Sequence, residues 1–385
     1  MLREVVKQRS SLVILSVMIL SAAVAEIFWL DFSTQAGSLP SSRFLLFSYY
    51  LPFIAGVVIF VALIPLMVRI NGRSSYVEPS HRTFLRYSFG FLWILDGILQ
   101  MQPGMATGFS DAILSPLVSS SPPFVAFLVS SGISVWNTNP STFNVLASLL
   151  QVYIGAGLIL FSDGLFFKLT QAIAIAWGVI LWVFGEAFGS VFFNLGTWLT
   201  GSPGSALIYT AVSVLLLIRT PRISDSRLMS YSMAIFWAFA GIAQLNPVNG
   251  FWQQGAIGAI PLAMSQNTQP ALLSSALYSF SVMMSGNPFL WNSVLIAVML
   301  AAAVLWYLKP TVAWIYATFL SATTWVLFQG MGIFGGFGTD PNSGLPLLLV
   351  SVSYAAFTRT FGAKNMETNT PIIGENRLAP QYSPI

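Results

Sequence analysis

The stretch Phe91-Leu92-Trp93-Ile94-Leu95-Asp96-Gly97-Ile98-Leu99-Gln100-Met101-Gln102-Pro103 recurs later in the chain as Ile235-Phe236-Trp237-Ala238-Phe239-Ala240-Gly241-Ile242-Ala243-Gln244-Leu245-Asn246-Pro247. Trp, Gly, Gln and Pro keep their spacing in both. An offset of about 143 residues also aligns Trp182-Val183-Phe184-Gly185-Glu186-Ala187-Phe188-Gly189 with Trp325-Val326-Leu327-Phe328-Gln329-Gly330-Met331-Gly332, and Gly196-Thr197 with Gly338-Thr339. So constant an offset predicts two copies of one unit, at 84–222 and 223–361, each carrying four apolar spans. An even number of spans inserts both copies the same way up, which relates them by a pseudo-twofold along the membrane normal.

Outward from the repeat, the composition says what surrounds it. Hydrophobic residues make up 56% of the 385 positions and charged residues 7%, against about a quarter charged in a soluble domain. Apolar runs of about 20 residues place spans near 11–31, 44–68, 84–102, 143–162, 167–193, 203–218, 228–246, 290–308, 311–333 and 344–358. The predicted fold is therefore all-α: a polytopic transmembrane bundle of about ten spans, made of two parallel four-helix repeats and an N-terminal two-helix hairpin with its cytoplasmic loop at 1–83. Residues 362–385 are too polar to bury and too short to fold, and are expected to form a disordered cytoplasmic tail.

Placing the N-terminus in the cytoplasm puts all of the 16 basic residues except Arg43 on one side, the pattern that sets membrane orientation. The expectation is a multi-pass protein of the cell membrane with both termini cytoplasmic. The first segment also imitates a signal peptide, with Arg3, Lys7 and Arg9 before an apolar run and Ala23-Val24-Ala25 as a cleavage site. Because the run continues through Ile27, Phe28, Trp29 and Leu30, a retained helix is expected. The net charge of +4 follows from this topology and implies no nucleic-acid partner. The expected partners are the lipid bilayer and, for a subunit of a complex, other membrane proteins.

The chain has no cysteine and one histidine, His81, so it cannot by itself build a thiolate zinc site, an iron–sulfur cluster or a bis-histidine haem site. Any redox role needs a diffusible or partner-held cofactor. Walker-type, HExxH, GxSxG and CxxC motifs are all missing. His81 reads as a solvated loop residue beside Arg82, Met101 and Met105 as packing rather than a Cu(I) site, and Thr339-Asp340-Pro341-Asn342-Ser343-Gly344 as a turn rather than a calcium site. The outer segments 104–142 and 248–289 contain no Lys or Arg and only short apolar stretches, which predicts short interfacial or re-entrant helices forming a lid.

Two carboxylates fall inside spans, Asp96 about 10 Å and Glu186 about 12 Å below the outer surface at 1.5 Å per residue. An ionisable group in hydrocarbon costs about 3 kcal/mol even on the insertion scale, so such residues face the bundle interior and mark a pathway or site. Glu26 also lies in a span but is close enough to its end to snorkel. Helical spacing sets Phe89, Trp93, Asp96 and Gln100 on one stripe and Trp182, Glu186, Gly189 and Phe193 on another. Asp96 and Glu186 are the candidate catalytic, proton-handling residues. Trp93, Gln100, Trp182, Gln244 and Gln329 are candidate ligand contacts, because tryptophan beside carboxylate suits a flat apolar molecule with a polar edge, such as a quinone head group. The alternative is that the carboxyls are helix glue with Gln100, Gln244 and Gln329 as partners. At the equivalent places the second copy has Ala240 and Gln329, as expected if one copy holds the site.

The pattern Trp93-x-x-Asp96-Gly97-x-x-Gln100-x-Gln102-Pro103-x-Met105, followed by Gly185-Glu186-x-x-Gly189 and Gly201-Ser202-Pro203-Gly204-x-x-Leu207-Ile208-Tyr209, resembles a family of uncharacterised prokaryotic polytopic membrane proteins. More distantly, the four-helix unit beginning Arg86-x-x-x-Gly90 and reaching Asp96-Gly97 is similar to DoxX-like proteins, a group that includes the membrane subunit of thiosulfate:quinone oxidoreductase. That resemblance implies a quinone-linked subunit. The residues leave three readings open: such a redox subunit with quinone as cofactor, a non-catalytic scaffold of a membrane complex, and a proton- or cation-coupled transporter.

Overall fold

A helix that is apolar all round and lies on the outside of a protein is stable only if its solvent is apolar. In the computed structural model, which describes residues 39–72, 76–192, 196–218 and 225–357, helix α1 (Ser42–Asn71) is such a helix. Its Phe47, Val58 and Ile59 are 61%, 60% and 61% exposed, and it touches the rest of the chain mainly along α5 (Pro140–Leu160). The inside is the reverse. Asp96, Gln100, Asn144, Gln151, Gln171, Gln244, Asn292 and Gln329 are all buried. Greasy outside and polar inside is the arrangement of a protein dissolved in lipid.

The described residues form helices only. After α1 come α2 (Ser80–Leu99), α3 (105–120, with a π-turn at Ser110–Leu114), α4 (Pro123–Trp136), α5, α6 (Gly164–Gly185), α7 (Ser205–Leu217), α8 (Asp225–Leu245), α9 (Ala256–Ser265), α10 (Ala271–Gly286), α11 (Pro288–Leu308), α12 (Pro310–Leu327) and α13 (Gly344–Phe357). Helices occupy every expected span from 44–68 onward. By length and composition, five of them are able to cross a membrane: α1, α5, α6, α8 and α11. The expected span 11–31, with the Ala23-Val24-Ala25 site and Glu26, and the tail at 362–385 lie outside the described residues. The segments 104–142 and 248–289 fold as the short helices α3, α4, α9 and α10.

Local sequence starts these helices in recognisable ways. Asn139 accepts the Thr142 N–H, with Pro140 as the first helical residue of α5. Asn287 accepts the Leu290 N–H, with Pro288 opening α11. Proline loses nothing at the first position, where its N–H would be unpaired, and the asparagine satisfies one of the free donors. Packing is pairwise: α2 on α5, α6 on α7, α8 on α11, α9 on α10 and α12 on α13. α2 and α5 approach at glycines, since a side chain at Gly97 would strike Ser148 and one at Gly155 would strike the Gly90 carbonyl. The two halves meet where α13 lies against α2 and α7, and where the turn Trp198–Thr200 lies against α8.

Two sequence expectations change here. The span 167–193 stops being helical at Gly185: Ala187, Phe188, Gly189 and Ser190 all have positive φ, so Gly189 does not continue the stripe of Trp182 and Glu186, and Phe193 lies outside the described residues. Instead Gly189 presses against the Pro203–Gly204 backbone, where no Cβ fits. The span 311–333 ends likewise at Leu327, before the left-handed Gly330, Met331 and Gly332. Second, His81 is not solvated. It is 7% exposed, stacks on Phe357 at 3.9 Å, and pairs with Asp225 at 2.7 Å. Arg82 joins the same carboxylate at 2.6 Å and donates to the carbonyls of Leu216 and Ile218 at the end of α7. A basic residue at a helix start reads as solvent-facing, yet its charge is drawn to the unpaired carbonyls of a neighbouring helix end.

Candidate functional site

α2, α5 and α6 diverge on the side covered by α3 and α4, and the space between them is a cavity of about 570 Å³. Its walls are apolar and aromatic. Trp93 comes from α2, Phe109, Ile113 and Leu114 from α3, Val135 and Trp136 from α4, Ala147 and Leu150 from α5, Trp177, Leu181 and Phe184 from α6, and Tyr209 from α7. The polar part of the lining is Asp96, Gln100, Ser131, Gln151, Glu186, Ser205, Thr339 and Asp340. The short helices α3 and α4 are therefore a wall of the cavity.

Asp96 is 3% exposed and its Oδ1 has no hydrogen-bond partner within the chain. The Tyr209 hydroxyl stands beside it, and the Tyr209 ring meets Trp93 edge-on at 4.8 Å and Phe89 at 5.2 Å. This is the stripe the spacing predicts, with Phe89, Trp93, Asp96 and Gln100 all turned inward. Glu186 is held differently. Where α6 ends, its Oε1 accepts from the Ser205 hydroxyl at 2.6 Å and the Ala206 N–H at 3.0 Å. The carboxyl thus caps the N-terminus of α7, where the helix dipole favours negative charge. Its Oε2 is sealed and unpartnered.

Asp340 is the residue that sequence reading missed. The loop between α12 and α13 crosses to the first half, where Gln102 donates to the Gly338 carbonyl at 2.8 Å and Ser343 to the Gly201 carbonyl at 2.5 Å. It sets Asp340 into the cavity lining, with Oδ2 accepting from Thr339 at 3.1 Å and Oδ1 unpartnered. Asp340 is an electrostatic neighbour of both Asp96 and Glu186. The available signal was chemical: a buried turn needs no carboxylate. Among the described residues, no Lys, Arg or His lines the cavity, and no group of three or more acidic or histidine side chains closes tightly enough to hold a metal ion.

The remaining candidates lie elsewhere. Gln100 reaches the lining, but its amide is engaged with Asn144, which also bonds Tyr49 of α1. Gln244 donates to Asn292 at 2.7 Å, away from the cavity. Gln329 accepts the Gly344 N–H at 2.8 Å and donates to the Trp198 carbonyl at 2.9 Å. Trp182 donates to the Pro203 carbonyl at 2.8 Å. The glutamines bond amides and backbone, and none of them pairs with a carboxyl. Met101 and Met105 are buried packing residues. In the second half Trp198, 1% exposed, fills the space beside Trp237 and Phe236, with ring centroids at 5.5 and 5.2 Å.

No family model, curated protein or solved structure matches the chain.

Proposed function

We propose that this integral membrane protein binds a lipophilic small molecule in the cavity beside Asp96, with its apolar body against the aromatic wall and its polar end among Asp96, Glu186 and Asp340. The observation that carries this reading is the unpartnered Oδ1 of a buried Asp96, whose carboxyl lies with Glu186, Asp340 and Tyr209 on the lining of a largely aromatic and aliphatic cavity. An unsatisfied polar group in such a place costs about 1–3 kcal/mol and persists where it has a use. A quinone is one molecule of this class, and a quinone-linked subunit would use Asp96 and Glu186 to exchange protons while electrons come from a partner.

The duplication belongs to the same reading. Gln100 with Asn144 and Gln244 with Asn292 are parallel pairs, and Glu186 and Gln329 accept N–H groups at the starts of α7 and α13. In the second copy Trp198 occupies the inside, while Asp340 enters the first, which would leave a single binding cavity.

Full-length protein purified in mild detergent and extracted with organic solvent should release a lipophilic molecule in roughly equimolar amount. Leu150→Trp, which fills the cavity, should reduce its recovery with helix content and elution volume unchanged. Equal recovery from both proteins contradicts the proposal.

A second reading, transport of the bound molecule, is favoured by α7 and α13. These are short helices with buried starts, preceded by glycine- and proline-interrupted segments at matching places in the two halves, a pattern common around transport sites. Flux of the extracted molecule in proteoliposomes, lost on Asp96→Asn, tests it.

A further inference from the structure

The cavity's polar groups are unbalanced in charge. Asp96, Glu186 and Asp340 bring three carboxyls to one apolar space, and no basic side chain on its lining among the described residues offsets them. The elements packed on α2 near Asp96 add only Tyr209 to the titratable groups there. The other polar side chains on the lining, Gln100, Ser131, Gln151, Ser205 and Thr339, are uncharged. Three ionised carboxylates in so little water repel one another and are poorly solvated, so the cavity must hold either protons or a cation. The basic residues that could have neutralised them are committed elsewhere: Arg82 to Asp225 and Arg86 to Glu78.

Resting on the reading that the cavity takes a lipophilic small molecule, we infer that its preferred occupant is a lipophilic organic cation, bound in exchange for protons. The aromatic rings of Trp93, Trp136, Trp177 and Tyr209 on the lining suit such a head, since a desolvated cation is attracted to the ring quadrupole. The volume, about 570 Å³, and the greasy wall favour an organic ion over a hydrated inorganic one. When the cation enters, a carboxylic acid O–H breaks, its proton leaves to solvent, and the carboxylate pairs with the incoming charge. No electron moves.

The test uses the full chain in nanodiscs of zwitterionic lipid and two probes, tetraphenylphosphonium and a neutral short-chain benzoquinone. Tetraphenylphosphonium should bind more tightly as pH rises, approaching tenfold per pH unit for each proton released. Asp96→Asn should weaken it at least tenfold and flatten the pH dependence. Asp340→Asn, an isosteric change in a loop, should reduce the pH slope and keeps the test available if the Asp96 variant fails to fold. Binding of the quinone with no binding of the cation overturns this inference and leaves the proposed function standing. Cation binding indifferent to pH and to both substitutions also overturns it. If neither probe binds, both fall.

Discussion

Glu186 does two things at once in this structure, and a pair of substitutions separates them. Its Oε1 receives the Ser205 hydroxyl and the Ala206 N–H, so Glu186→Ala leaves two buried donors unpaired at the start of α7. Each hydrogen bond to a carboxyl contributes about 1.5 kcal/mol and loss of an N-cap costs about 1 kcal/mol. The two overlap, so the alanine variant should lose about 3 kcal/mol. Glu186→Gln keeps an acceptor oxygen in the same place, and the second half already shows glutamine doing this work, where Gln329 accepts the Gly344 N–H at 2.8 Å. The glutamine variant should therefore stay within about 1 kcal/mol of wild type while removing a carboxyl from the cavity. Unfolding in sodium dodecyl sulfate, followed by near-ultraviolet circular dichroism, reads the difference. If Gln destabilises as much as Ala, or if Ala is neutral, Glu186 is not the cap of α7 and its placement here is wrong.

Asp225→Ala should cost about 3 kcal/mol, because it strands Arg82 without its counter-charge and His81 without its hydrogen-bond partner; thermal unfolding checks this. Gln244→Leu alone should cost about 1–3 kcal/mol by leaving the Asn292 amide unpaired, and the double change with Asn292→Leu should recover most of that, as a double-mutant cycle would show. Trp198→Ala should lose about 3–5 kcal/mol and open a void beside Trp237, to be read as a fall in the unfolding midpoint and a change in Trp fluorescence.

Periodicity carried much of this structure. The spacing of Phe89, Trp93, Asp96 and Gln100 alone orients all four inward, because a regular helix turns sequence distance into angle. The same rule failed at Glu186, where an apolar run hides a helix end. Phe184 to Phe193 looks continuous on hydropathy, but the backbone turns through left-handed positions at Ala187, Phe188 and Ser190, and nothing about those residue types announces it. The carboxyl remained buried, though for a different reason: it caps a neighbouring helix.

Asp340 shows a further limit. Its turn chemistry was legible, but its place beside Asp96 depends on a loop crossing from the other half, a tertiary fact with no local signature. His81 was misjudged in the same way, since the groups that bury it, Asp225 and Phe357, are distant in sequence. Gln100, Gln244 and Gln329, expected as ligand contacts or as partners of the carboxyls, are buried with asparagine and backbone atoms as their partners. Polar residues in lipid are satisfied by whatever the neighbouring helix offers.

The most direct test is an experimental density map of the full chain in a lipid nanodisc. The account predicts Asp96, Glu186 and Asp340 around one cavity walled by Trp93, Trp136 and Trp177, with non-protein density inside it. A bundle in which side chains fill that space, or in which Asp96 faces lipid, would contradict it.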